Sequence, residues 1–139
     1  MEAIARLRKL PISARKVSLL ATLIRGKRAA ISLVVLQNRQ QPCAVQLRKL
    51  LLSAISNWEA INATLLEDAD VVITKITVDG AGMLKRIRPA SKGIAHRIRK
   101  RSSHVTIAVD SIVHTAATAL QKKSPLHVVD TVDQRTLDK

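Results

Sequence analysis

Four histidines, one cysteine and ten acidic residues are the groups with which this chain could carry out proton transfer or covalent chemistry. Their spacing assembles no catalyst. His96 and His104 sit in a run of Lys and Arg, where donating to phosphate or water is their simplest role; His114 and His127 lie nearer the C-terminus. No HExxH pattern or Walker-type loop is present. Gly80-Ala81-Gly82 lacks the third glycine and following helix of a dinucleotide fingerprint. Glu67, Asp68 and Asp70 could gather a cation, but an exposed acidic turn is the simpler account. Cys43 stands alone, which excludes an intrachain disulfide and a cysteine-built metal centre and fits a reducing, cytosol-like compartment. The expectation is a protein with no enzymatic activity, no cofactor and no metal.

Binding is better served than catalysis. Lys85 to Arg101, KRIRPASKGIAHRIRKR, carries eight Lys or Arg, and no acid occurs between Asp79 and Asp110. A second basic region holds Arg6, Arg8, Lys9, Arg15, Lys16, Arg25, Lys27 and Arg28 against Glu2 alone. Across the chain 24 basic residues face 10 acidic ones, a net charge of +14, which points to a polyanionic partner. The lack of aromatics narrows that partner. Single-stranded binders stack bases on Phe, Tyr or Trp, and this chain has only Trp58. Reading the backbone and shape of a folded nucleic acid is therefore favoured, through contacts that supply affinity rather than sequence choice. Three rivals are weaker. Gly26 between two helices would suit a helix-turn-helix DNA reader, but such glycines are common. A DNA-compacting protein would use the same charges. A membrane-surface segment would need a bulky apolar face that the basic run lacks.

Positioning these charges requires a scaffold, and 139 residues suit one domain with a core of Leu, Ile, Val and Ala. The N-terminus lacks the apolar region of a signal peptide, and no apolar run approaches a membrane span. Ala3 to Leu10 alternates as a short strand. Ser13 is placed to cap a helix over about Ala14 to Arg25, with Val17, Leu20, Ala21 and Ile24 inward and Gly26 just past its end. A second helix is expected over roughly Arg28 to Gln37, with Ile31, Val34 and Val35 on one face, then a polar connector from Asn38 to Pro42. Leu47, Leu50, Leu51, Ala54, Ile55, Trp58 and Ile61 mark a third, longer helix whose stripe packs on the core. Val71 to Val78 reads as a strand with Val72, Ile76 and Val78 on one face; Val105, Ile107 and Val109 mark another.

Between those strands the basic run forms a long hairpin over about 78 to 105, turning between Pro89 and Ile94. Ten residues per arm would project on the order of 30 Å. A lone two-stranded ribbon is marginal in water, and facing like charges weaken it further. Its tip is therefore expected to be mobile in the free protein and ordered against a polyanion. Ser111 to Lys139 is read as a flexible tail, with a helical turn or two at Ile112 to Leu120.

Three blocks in order, SARKVSLLATLIRGK, LLLSAISNWEAIN and LKRIRPASKGIAHRIRKRSSHVTIAV, resemble the bacterial-type ribosomal protein twenty-two family of the large subunit. The resemblance spans roughly residues 3 to 110. Its most specific part is Lys85-Arg86, Pro89, Lys92-Gly93, Arg97 and Lys100 through His104. It implies an α+β fold, three helices packed on a small antiparallel sheet with a long protruding β-hairpin. It implies a single 23S-type rRNA-binding domain over residues 1–110, a tail over 111–139, and support of subunit assembly. The rRNA-binding residues it implies here are Arg15, Lys16, Arg25, Lys27, Lys85, Arg86, Arg97, Lys100, Arg101 and His104, with Arg99 added on charge alone. The tip Arg88, Pro89, Ala90, Ser91, Lys92, Gly93, Ile94 and Ala95 would line the nascent-peptide exit tunnel near large-subunit protein four, beside the peptide in transit. The implied partners are thus rRNA and neighbouring large-subunit proteins, with no membrane, on a cytoplasmic or organellar ribosome. Ala90 and Ile94 depart from the Arg of many members, which implies a less positive, more apolar tunnel wall. Asp79-Gly80-Ala81-Gly82 replaces the usual acidic-Gly-Pro, which implies a looser start to the hairpin. Ala14 replaces the Pro that follows the capping Ser in some members.

Overall fold

The computed structural model describes residues 1–64, 66 and 69–112. The tail beyond Ile112 lies outside them, with its expected helical turn, His114 and His127, as do Glu67 and Asp68. The elements run β1 (Ala3–Leu10), α1 (Ala14–Ile24), α2 (Ala29–Gln37), α3 (Pro42–Asn62), β2 (Val71–Gly80), β3 (Leu84–Pro89), β4 (Ala95–Lys100) and β5 (Ser103–Ser111). This is the expected α+β architecture. Three strands form an antiparallel sheet in the order β1-β5-β2, and β3 pairs with β4 as a separate ribbon.

β5 is the central strand because its alternation is the strictest. Ser103, Val105, Ile107, Val109 and Ser111 all face inward and are buried. It meets β1 with Ala3 opposite Val109 and Leu7 opposite Val105, and β2 with Ile76 opposite Ile107 and Gly80 opposite Ser103. α3 lies across β1 and β5, α1 against β2, and α2 against α3. The helical stripes fill one aliphatic core: Val17, Leu20, Ala21 and Ile24 from α1, and Leu47, Leu51, Ala54, Ile55 and Trp58 from α3. Pro42 opens α3 at a position where the missing N–H costs nothing.

Several expectations about faces need correction. In α2, Ile31 and Val34 are exposed and Val35 is only half-buried; Ala29, Ser32 and Leu36 face the core instead. Nine residues with apolar side chains nearly all round carry no unique stripe, so packing against α3 decides the face. Ser32 tolerates burial because its hydroxyl donates to the Arg28 carbonyl (2.9 Å). Ile61, in the last turn of α3, extends past the core and is exposed.

In β2, Val72 does not share a face with Ile76 and Val78. Ile73 pairs with Val109 and Lys75 with Ala108, leaving Thr74 as the extra residue of a bulge. A one-residue insertion exchanges the two faces of a strand, so Val71 and Ile73 point inward before it and Ile76 after it. Thr74 shares its hydroxyl proton between the Ala108 carbonyl (3.2 Å) and the Glu2 carboxylate (3.0 Å).

Ser13 occupies the N-cap of α1, but its side chain makes no capping bond. Gly26 does sit just past the helix, at φ +71°, where a side chain would strain the backbone. Its N–H donates to Ile73 (3.1 Å), and Ile73 N–H returns a bond to Lys27 (3.1 Å). The α1–α2 linker thereby covers part of the β2 edge. The connector before α3 ends at Gln41.

The reassigned face of α2 gives a direct test. Leu36→Ala should destabilise the chain by about 2–5 kcal/mol, and Val34→Ala by no more than about 0.5 kcal/mol, in urea unfolding of the free protein. The reverse order would mean that the other side of α2 is buried.

Candidate nucleic-acid interface

The ribbon is built by register. Leu84 pairs with Lys100, Lys85 with Arg99, Arg86 with Ile98, Ile87 with Arg97, Arg88 with His96 and Pro89 with Ala95. Directly opposed residues share a face and successive residues alternate. One face therefore presents Lys85, Arg97 and Arg99, and the other Arg86, Arg88 and Lys100 with His96. An aliphatic residue stands opposite a cation in three pairs, Leu84–Lys100, Arg86–Ile98 and Ile87–Arg97. The expected like-charge opposition is confined to Lys85–Arg99, with Arg88–His96 the nearest case to it.

Every residue of β3 and β4 is exposed. Among the described residues the ion pairs are Arg28 with Asp70 (3.3 Å) and the amino terminus with Asp110 (3.6 Å), and neither involves the ribbon. Asp70 is thus paired with an arginine, and no group of metal-ligating side chains occurs among the described residues. Arg86 donates to the Lys85 carbonyl (2.9 Å), which leaves most of its guanidinium free. The ribbon is a rod with cations on both faces and no anions to neutralise them.

The paired span is shorter than the sequence suggests. Six residues per strand reach about 20 Å. The base of the expected hairpin, Val78–Gly80 with Ser103–Val105, belongs to β2 and β5, and Ala81–Met83 and Arg101–Ser102 form a break between the two sheets. Ala81 N–H donates to Ser102 (2.9 Å), and the Ser102 hydroxyl donates to the Gly82 carbonyl. At the tip, Ala90 N–H donates to Ile94 (2.8 Å) and closes a turn in which Lys92 and Gly93 both adopt positive φ. Lys92 in that conformation costs about 1–2 kcal/mol, which the turn must offset. Lys92 is the one cation from Pro89 to Ala95. Ile94 is exposed and Ala90 half-buried.

At the root, the ribbon meets α1. Arg99 and Arg101 line one concavity with Ser13, Lys16 and the start of α3; Arg101 lines the next with Arg15, Gly80 and Met83. The first turn of α1 contains no acid and its N-cap side chain is unengaged. Its N–H groups therefore add positive potential to the same surface. Arg15, Lys16, Arg99 and Arg101, far apart in sequence, gather at the root of the ribbon, and Arg99 continues along the ribbon face that holds Lys85 and Arg97.

Arg25 and Lys27 are not part of it. They follow the C-terminal end of α1, about 16 Å from its start. Arg25 Nη2 donates to the Ile76 carbonyl on the β2 edge (3.1 Å), so it braces the sheet. His104 also lies elsewhere, half-buried on the sheet face away from the helices. Its neighbours are Arg6, Arg8, Lys9 and Thr106. Arg6, Arg8 and Lys9 were visible as basic residues; that they meet His104 depends on β1 pairing with β5.

The ribosomal protein L22p/L17e family model matches residues 5–110, from within β1 to within β5. The chain belongs to this family. Its curated relatives include the large ribosomal subunit protein uL22 of Flavobacterium psychrophilum, 48% identical over 116 residues, covering 83% of this chain and 85% of the relative. The protein of the same name from Flavobacterium johnsoniae is 48% identical over 114 residues, 81% of this chain and 83% of the relative. That of Cytophaga hutchinsonii is 41% identical over 128 residues, 91% of this chain and 70% of the relative. The family match therefore covers the sheet, the helices and the whole basic ribbon.

A ribbon with no core of its own should open readily when free. Amide exchange at Arg86 to Arg99 should run at least tenfold faster than at Val105, Ile107 and Val109 in the isolated chain. Protection at Arg86 to Arg99 equal to that of β5 would mean that the ribbon is rigid before it binds.

Proposed function

We propose that this chain is an rRNA-binding structural constituent of the large ribosomal subunit, with the ribbon embedded in 23S-type rRNA. A family of structural ribosomal proteins has no catalytic role to assign, in keeping with the absence of a catalytic constellation in the sequence. One observation carries the RNA reading. Six Lys or Arg of β3 and β4 are divided evenly between two faces, every one is exposed, and none has an acidic partner among the described residues. A protein lying on a nucleic acid needs one cationic face. A ribbon cationic on both suits insertion between RNA segments, where phosphates approach from either side.

In this reading Lys85, Arg86, Arg97, Arg99, Lys100 and Arg101 neutralise rRNA phosphates, joined by Arg15 and Lys16 at the root. Burying a ribbon in RNA also removes the mutual repulsion of its own charges, which couples its ordering to subunit assembly. The tip, Arg88 to Ala95, reaches beyond these contacts to the wall of the nascent-peptide exit tunnel, beside large-subunit protein four. Ala90 and Ile94 make that wall less positive and more apolar for the peptide in transit. The site of action is the ribosome in the cytoplasm.

Two measurements test this. On a gradient of native extract the chain should run with the large subunit and resist a high-salt wash; a chain found free or with chromosomal DNA would refute the ribosomal reading. In filter binding to protein-free large-subunit rRNA, Lys85→Gln and Arg97→Gln should each flatten the plot of log affinity against log salt by about 0.7–0.9. Equal binding to duplex DNA at moderate salt would favour a DNA-compacting role instead.

A further inference from the structure

Lys16, Arg99 and Arg101 rim a concavity of about 580 Å³ where α1, the start of α3 and the root of the ribbon meet. Its floor is apolar, lined by Ile12, Leu19 and Pro42. Leu19 is 64% exposed, a large aliphatic side chain facing open space beside three cations. Neither ion pair of the described residues involves those cations. A phosphate would answer the rim and leave the floor facing water. An occupant that answers both carries carboxylates and aliphatic side chains together.

The sequence holds two stretches of that composition, each with at least two acids and no Lys or Arg. Residues 59–70 contain Glu59, Glu67, Asp68 and Asp70. They begin in the last turn of α3, whose 21 residues run about 30 Å from the concavity, and Asp70 is held by Arg28. Residues 126–133, LHVVDTVD, set Asp130 and Asp133 among Leu126, Val128, Val129 and Val132. They lie outside the described residues, but the point from which the chain leaves is fixed. Ile112 N–H donates to the Asp70 carbonyl (3.0 Å), at the end of β5 away from the ribbon. β5 is about 30 Å long, and the chain from Ile112 to Asp130 spans up to about 60 Å when extended. The second stretch therefore reaches the concavity and the first does not.

We propose that residues 126–133 fold back onto this concavity in the free protein, with Asp130 and Asp133 against Lys16, Arg99 and Arg101 and the valines on Ile12, Leu19 and Pro42, and that rRNA displaces them. The docking stands on the concavity and the sequence; the displacement rests on the RNA-binding reading above. Exposed ion pairs are individually weak. A tethered segment, however, meets its seat at an effective concentration in the millimolar range, so weak contacts hold it there for part of the time. Salt screens those contacts and phosphates compete for the same cations, so both release the segment. The consequence is a root shielded from chance polyanions until a partner with many phosphates engages the whole ribbon.

Carbodiimide coupling joins a lysine only to a carboxylate in contact with it. In the dilute full chain without RNA, Lys16 should link to Asp130 or Asp133 of the same molecule about fivefold more often than Lys92 at the ribbon tip does. Equal yields at Lys16 and Lys92, or links only between two copies, would overturn the docking. Two pairs of substitutions then separate contact from charge: Asp130→Asn with Asp133→Asn, and Val128→Ser with Val132→Ser, which keeps every charge. Each pair should tighten binding to protein-free large-subunit rRNA by about threefold at low salt, the gain from freeing a site covered roughly two-thirds of the time. Tightening by the aspartate pair alone would be a general effect of charge and would sink the seat on the apolar floor. If both pairs bind as the parent does while Arg97→Gln weakens binding, the shielding falls and the ribbon reading stands. If Lys16 links as expected but the parent binds no rRNA, the docking stands and the RNA reading falls.

Discussion

The backbone pairing of β5 with both β1 and β2 is the interaction on which the rest of the structure depends. β1 is the first element of the chain and β5 the last described one, and their contact closes the fold around the three helices. Because β2 and β5 are antiparallel neighbours, whatever joins them must leave and return at one end of the sheet. The basic run is that connection, so it emerges as a two-stranded ribbon from a root fixed by two buried strands. Without β5 the ribbon would have no base, and the α1 patch would have no arginines beside it.

The same arrangement resolves a conflict between charge and stability. A chain of net charge +14 repels itself, and a core without Phe or Tyr has less apolar area per residue with which to resist. The fold responds by segregation. The aliphatic residues close a single core under one face of the sheet, while the densest charge stands outside it on β3 and β4. There, aliphatic residues set opposite cations limit direct like-charge contact. The break at Ala81–Met83 keeps the ribbon from being a stiff continuation of the sheet.

Much of this was legible in the residues. The alternation of Val105, Ile107 and Val109, the helical stripe from Leu47 to Trp58, and the acid-free interval between Asp79 and Asp110 each carry their own meaning at short range. What misled was also local. α2 is apolar nearly all round, so its period selected Ile31 and Val34 although packing buried Ala29, Ser32 and Leu36. In β2 a single bulge at Thr74 reversed the faces, and no residue type announces a bulge of that kind. Arg25 reads as one more cation of the basic region, and the fold adds a bond from its guanidinium to the Ile76 carbonyl on the β2 edge.

The sequence by itself determined the distribution of charge and the kind of scaffold, because charge density, aromatic content and hydrophobic period are properties of neighbouring residues and survive without a fold. Tertiary structure alone decided which charges act together. Arg15 and Lys16 join Arg99 and Arg101 because α1 begins where the ribbon is rooted. His104 meets Arg6 and Arg8 because β1 pairs with β5 across a bulge. Those contacts link residues more than eighty positions apart, and their geometry follows from strand register and helix docking, which are set by the whole core at once.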